Sequence, residues 1–191
     1  MSAHTIATTR SAMGMPTGRL AIWWVLVSEI VIFGGVLVSY VMHRLAHPEW
    51  AEQAAATNMW LGAFNTLVLL SSSLSAVLAH QAAEQGKGAK AAKLLFATVA
   101  GGATFLIVKA FEWTAEITHG FTLQSGGFWS YYYTAAGIHA THVIAGMIIM
   151  VFVALDAMKN RALHRVELVG IYWHFGDIVW IFLFPLLYIA K

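Results

Sequence analysis

Five residues of this sequence place an ionisable side chain in an otherwise apolar stretch: Glu29, His139, His142, His174 and Asp177. His139 with His142, and His174 with Asp177, are spaced i,i+3, so on a helix each pair shares one face. Imidazoles and carboxyls gathered in an apolar medium can do three things. They can form a hydrogen-bonded seam, with the carboxyls neutral or accepting bonds from the imidazoles, or they can transfer protons. Facing histidines can also ligate haem iron or another metal, and the pair best matched in depth for that is His142 with His174. Residue types alone leave all three readings open. A second group, Lys109, Glu112 and Glu116, lies near the end of an apolar run. There Glu112, with Trp113 beside it, reads as an interface carboxylate solvated by water or lipid headgroups, while Lys109 pairs with it or snorkels outward.

Other chemistries are excluded. With no cysteine in the chain, disulfides, thiolate metal sites, thiolate-bridged copper and covalent haem attachment through C-x-x-C-H are all ruled out. Gly86-Lys87-Gly88 has the wrong spacing for a phosphate loop, and neither G-x-S-x-G nor H-E-x-x-H occurs. No catalytic residue and no metal site are expected. The formal charge of +2 is spread over short loops without a basic stripe, which argues against a nucleic-acid partner.

The elements that must position these residues follow from composition. At 59% hydrophobic and 10% charged over 191 residues, the chain is too apolar for an ordinary soluble domain. A bilayer core about 30 Å thick needs roughly 20 apolar residues in helix. Five stretches qualify, at about 20–43, 59–81, 92–114, 130–157 and 167–190. The prediction is an all-α polytopic bundle: a 1–19 segment followed by one five-span domain, 20–191. Arg10, Arg19, Lys87, Lys90, Lys159, Arg161 and Arg165 fall on one side of this topology, and Arg44 and Lys191 on the other. By the positive-inside rule the N-terminus is cytoplasmic and the C-terminus outside. Residues 1–19 carry no short apolar core with a cleavage site, so no removable signal peptide is expected.

Aromatic residues fall near the predicted interfaces: Trp23, Trp24, Tyr172 and Trp173 at the inner one, and Trp60, Trp113, Trp129, Tyr131 and Tyr188 at the outer. Small residues suited to close helix contact recur at Gly34-Gly35, Ser71 to Ser75, Gly101-Gly102 and Ala136 with Ala140. At 1.5 Å per residue, Glu29, His174 and Asp177 lie about 14, 11 and 15 Å from the inner ends of their spans, and His139 and His142 about 14 and 18 Å from the outer end of theirs. All five converge on the midplane, as a seam joining the first, fourth and fifth spans.

In the last two spans the residues become specific. YYYTAAGIHATHVIAGMIIM followed by ELVGIYWHFGDIVWIFLFPLLYI closely resembles subunit III of haem–copper oxygen reductases. The first run matches the family's H-x-x-H-V-x-x-G through His139, His142, Val143 and Gly146. The second matches its Y-W-H-F-x-D-x-V-W run through Tyr172, Trp173, His174, Phe175, Asp177, Val179 and Trp180. WWVLVSEIVIFGG, carrying Glu29, resembles the family's helix with a mid-membrane glutamate. FNTLVLLSSSLSAVLAH and KAFEWTAEITHGFT, the latter containing Glu112, resemble two further family segments.

This resemblance implies an accessory subunit of a respiratory terminal oxidase, in the inner (cytoplasmic) membrane of a bacterium. It would hold no haem or copper itself, and would pack on catalytic subunit I and the other oxidase subunits. Its implied work is to stabilise subunit I, support proton uptake and hold phospholipid, for which Trp23, Trp173 and Arg165 are the candidate contacts. Cytochrome c is the expected electron donor, with a quinol oxidase or nitric oxide reductase as the alternative assembly. A reading from a different class is an autonomous membrane cytochrome b or proton-coupled transporter. Longer family members have seven helices and a V-shaped lipid cleft; this chain resembles their last five, so that cleft is not expected.

Overall fold

A computed structural model describes residues 11–12 and 15–190. Arg10 and Lys191, two of the expected topology signals, lie outside the described residues. A minimal antiparallel pairing, Ser11–Ala12 with Met15–Pro16, precedes the first helix. The helices are α1 Thr17–Ala46, the short α2 Trp50–Ala55, α3 Met59–Glu84, α4 Gly88–Thr118, α5 Gly127–Met158 and α6 His164–Phe184, which continues as a π-helical turn over Pro185–Ile189. Five of them are long and apolar enough to cross a membrane, so the chain is an all-helical, multi-pass membrane protein.

All five spanning helices outrun the stretches read from hydropathy at one end or both. Helix itself stops where the backbone is capped. Asn58 opens α3 by accepting from the amides of Trp60 and Leu61 at 3.1 and 3.2 Å, which satisfies two of the four free N–H groups at a helix start. α3, α4 and α5 all close with one motif. A left-handed residue, Gly86 (φ 70°), Gly120 (φ 88°) or Asn160 (φ 51°), turns the chain back on itself. The next amide then returns to a carbonyl of the last turn: Lys87 to Ala82, Phe121 to Glu116 and Arg161 to Asp156. Glycine or asparagine is needed at these positions because other side chains are strained at positive φ.

Close backbone approach at small residues adds to a core of buried aromatic and aliphatic side chains. A Cβ at Gly101 would lie 2.6 Å from Ser72 Cβ, and one at Gly102 would lie 2.7 Å from the Trp173 ring and 2.9 Å from Met147 Sδ. Between α3 and α4, Ser75 Oγ and Thr98 Oγ1 share a hydrogen bond of 2.7 Å. The two small-residue stretches at Ser71 to Ser75 and Gly101-Gly102 are therefore true contacts. Gly34-Gly35 is not, since a Cβ at either would meet nothing within 4 Å. Both face outward on α1, the peripheral helix. α1 buries only Leu26, Phe33 and Tyr40, seven residues apart, so a single stripe faces α5 and α6. At its two ends it is tied to α6, by an Arg19–Glu167 ion pair at 2.7 Å and by a bond from Tyr40 Oη to the Leu186 carbonyl at 2.8 Å.

α2 was not legible as an element. It lies across one end of the bundle, with Trp50 buried beside Tyr40, Phe128 and Tyr131. Several aromatics expected at the membrane interfaces belong instead to the interior: Trp129, Trp173 and Tyr188 are all 3% exposed or less.

The small-residue contact gives a direct test. Gly101→Ala forces α3 and α4 apart and should lower the unfolding temperature in detergent by several degrees, corresponding to an overpacking cost of about 1–3 kcal/mol. Gly34→Ala should leave it unchanged or raise it, because the position is open and alanine is the better helix former.

Candidate functional site

Glu29 sits on the α1 stripe that meets α5, and its Oε2 lies 2.6 Å from His142 Nε2. The contact has ion-pair distance without hydrogen-bond geometry, since Glu29 Oε2 has no hydrogen-bond partner. His142 Nδ1 faces the Ile138 carbonyl at 2.7 Å. A carbonyl can only accept, so Nδ1 carries hydrogen, and Nε2 is the nitrogen that faces the carboxyl. A proton between Nε2 and the carboxyl would leave the pair neutral as a whole, and a neutral pair costs less in a low-dielectric layer than two separate charges.

His174 and Asp177, one turn apart on α6, belong to a second group. His174 Nδ1 shares a 2.6 Å hydrogen bond with Ser73 Oγ, and Ser73 also interacts with the Asp177 carboxyl. Asp177 is 5% exposed, and its Oδ2 has no hydrogen-bond partner. The polar layer therefore includes α3, where the sequence pointed to the first, fourth and fifth spans alone. His142 and His174 are turned to different helices and different partners.

His139 corrects the expectation of one continuous hydrogen-bonded seam. It is 1% exposed, and neither ring nitrogen has a partner. Its surroundings are aromatic: Phe105 meets the imidazole edge-on at 5.4 Å and Trp180 stacks at 5.3 Å. It packs as an aromatic ring. His139, His142 and Asp177 do border one small void of about 10 Å³, closed by Phe33, Tyr172 and Trp173, which is about the size of one water molecule.

The largest departure is at Glu112. Instead of being solvated at an interface, it is 2% exposed, as is Lys109, and the two pair at 3.1 Å. Lys109 does not snorkel. Its ammonium donates to Glu112 Oε2, to Tyr132 Oη at 3.0 Å and to Tyr188 Oη, so its three N–H bonds are matched by three acceptors. Tyr132 in turn donates to Glu116 Oε1 at 2.9 Å. This cluster joins α4, α5 and the π-helical turn. The sequence signal was the i, i+3, i+7 stripe of Lys109, Glu112 and Glu116, but nothing local to α4 announces Tyr132 and Tyr188.

Of the candidate lipid contacts, Trp173 is buried at 3% exposure, and its indole donates to Ser72 Oγ at 3.0 Å. It braces α6 against α3 and offers no surface to lipid. Trp23 is exposed, and Arg165 is half-exposed and pairs with Asp156 at 3.3 Å.

Comparison with known proteins places this arrangement. The family model described as cytochrome c oxidase subunit III matches residues 2–191. Cytochrome c oxidase subunit 3 of Corynebacterium diphtheriae is 33% identical over 170 residues, spanning 85% of this chain and 83% of the relative. The Thermostichus vulcanus protein of the same name is 32% identical over 169 residues, 86% of this chain and 83% of the relative. A haem–copper oxidase subunit I+III of Aeropyrum pernix is 29% identical over 183 residues, covering 90% of this chain and 22% of that much longer one. With its whole length matched, and with the histidine and aspartate helices and the Glu29 helix in place, the chain belongs to the cytochrome c oxidase subunit III family, the third subunit of haem–copper oxidases.

Proposed function

We propose that this chain is the accessory subunit III of a respiratory haem–copper oxygen reductase of the cytochrome c oxidase type. It docks on subunit I, stabilises it and supports proton uptake, while haem and copper reside in the partner subunits. The observation that carries this reading is the relative named subunit I+III, within which a segment similar to 90% of this chain is fused. Fusion keeps two polypeptides at high effective concentration, as suits partners that sit side by side. The chain would lie in a bacterial inner membrane with its N-terminus cytoplasmic, the orientation that the basic loops favour.

In this role Glu29 and His142 act as a neutral proton-sharing pair on the first span. Glu29 is close to the lipid-facing side, with its side chain 12% exposed, where another subunit can approach. The pair can accept a proton at one atom and release one at the other without creating a net buried charge. Its contribution is to hold protons near the catalytic subunit, not to reduce oxygen. Phospholipid filling the same interface would be contacted by Trp23 and Arg165.

A tag on this chain should recover a membrane complex with a Soret band contributed by a partner. Glu29→Gln and Asp177→Asn should leave that haem spectrum intact while proton uptake or the yield of assembled complex falls severalfold. Recovery of the tagged chain without any haem-bearing partner would contradict the assignment, as would haem bound by the chain alone. Loss of haem from either variant complex would contradict the supporting role given to these residues.

A further inference from the structure

Two histidines at the α2 end of the bundle take no part in the polar groups described above. His43 lies in the last turn of α1 and His47 directly follows that helix, so the pair is spaced i,i+4, the separation at which helical side chains are neighbours. His43-Arg44-Leu45-Ala46-His47 has the histidine spacing of helical zinc sites, with Arg44 where H-E-x-x-H has its glutamate. That arginine is occupied elsewhere, donating to the Ala190 carbonyl at 2.8 Å. Both histidines are exposed, yet they share a fixed support. Each imidazole stacks on Trp50, with ring centroids 6.4 and 5.7 Å from the indole. Trp50 is itself 4% exposed and closes on the backbone of Gly127, where a Cβ would lie 2.5 Å from the indole.

The hydrogen bonds of the two rings decide which nitrogen is free. His43 Nδ1 faces the Ser39 carbonyl at 2.9 Å, which can only accept, so Nδ1 carries hydrogen; Tyr131 Oη lies 3.1 Å from the same nitrogen. His47 Nδ1 faces a carboxylate, Glu49 Oε1, at 2.9 Å. In the neutral rings the lone pair is then on Nε2, which in neither histidine has a hydrogen-bond partner among the described residues. Metal-ligating histidines are oriented in this way, one nitrogen donating to a carbonyl or carboxylate and the other left to the metal. We propose that His43 and His47 form a binding site for one divalent late-transition-metal ion, such as zinc, held through both Nε2 atoms. Imidazole nitrogen suits zinc, copper and nickel, whereas magnesium and calcium take oxygen. Among the described residues no set of three His, Cys, Asp or Glu converges on a common point, so water fills the remaining positions. Without a glutamate base, the site binds the ion and performs no hydrolysis. The bound ion ties the end of α1 to the turn leading into α2 and holds Trp50 over the end of the bundle.

The test uses the membrane-extracted protein in its native complex, dialysed against increasing concentrations of zinc chloride, with bound zinc counted per complex. Wild type should bind one more zinc than His47→Gln. Glu49→Gln should bind that ion about tenfold more weakly, at the low end of the roughly 10–100-fold that loss of an orienting partner costs a metal site. Equal zinc content in wild type and His47→Gln at every concentration would overturn the site, and an unchanged affinity in Glu49→Gln would overturn the orienting role given to that carboxylate. Should a variant fail to assemble, the wild type alone decides. Zinc, but not magnesium, should slow the modification of both His43 and His47 by diethyl pyrocarbonate severalfold, as read by mass spectrometry of the peptide that carries them. Modification of either histidine at an unchanged rate in saturating zinc would overturn the proposal.

Discussion

Hydrocarbon offers no water to an ionisable side chain, so such a group is costly in this bundle unless another group meets it. Among the described residues the fold meets that cost in three places, while His139 is packed between aromatic rings. Glu29 and His142 face one another at 2.6 Å. His174 is met by a serine of α3 at 2.6 Å. Lys109 is surrounded by a carboxylate and two phenols. Each solution crosses between helices, so the polar groups serve also as fasteners, and each requires the helices to come close enough for short side chains to reach. The glycine and serine contacts of α3 and α4 provide that closeness.

α1 stands apart. One stripe of three buried residues and ties to α6 at each end hold it to the bundle, and its other faces are apolar and open. Polar links from within the helix join Glu29 to His142 and Ser39 to Tyr131. The chain thus divides into a closely packed group, α3 to α6, and a peripheral α1 that carries Glu29 to meet it. As a member of the subunit III family, the chain belongs to an oxidoreductase complex.

Much of this was legible in the residues. Long apolar runs gave the five spanning helices, and the histidine and aspartate motifs of the last two gave the family. Hydropathy could not show which helix ends are covered. α2 is six residues long, too short for a periodic signal, yet it lies across one end of the bundle, where Trp50 is buried. Glu112 and Lys109 read as interface residues because their neighbours in sequence are aromatic, whereas their neighbours in space, Tyr132 and Tyr188, come from elements 23 and 79 positions away. Position along a span misled in the same way at Trp173 and Tyr188, whose side chains face the interior of the bundle. His139 shared the spacing of a ligand or relay residue and became an aromatic wall, because Phe105 and Trp180 occupy both sides of its ring.

Glu29 and His142 form a direct mid-membrane pair that ties α1 to the rest of the bundle. A double-mutant cycle measures this most directly, comparing unfolding of the assembled protein for Glu29→Gln, His142→Gln and the double variant. Direct pairing predicts a coupling of about 1–3 kcal/mol, with the double variant less damaged than the two single losses combined. Additive losses, with no coupling beyond error, would contradict it.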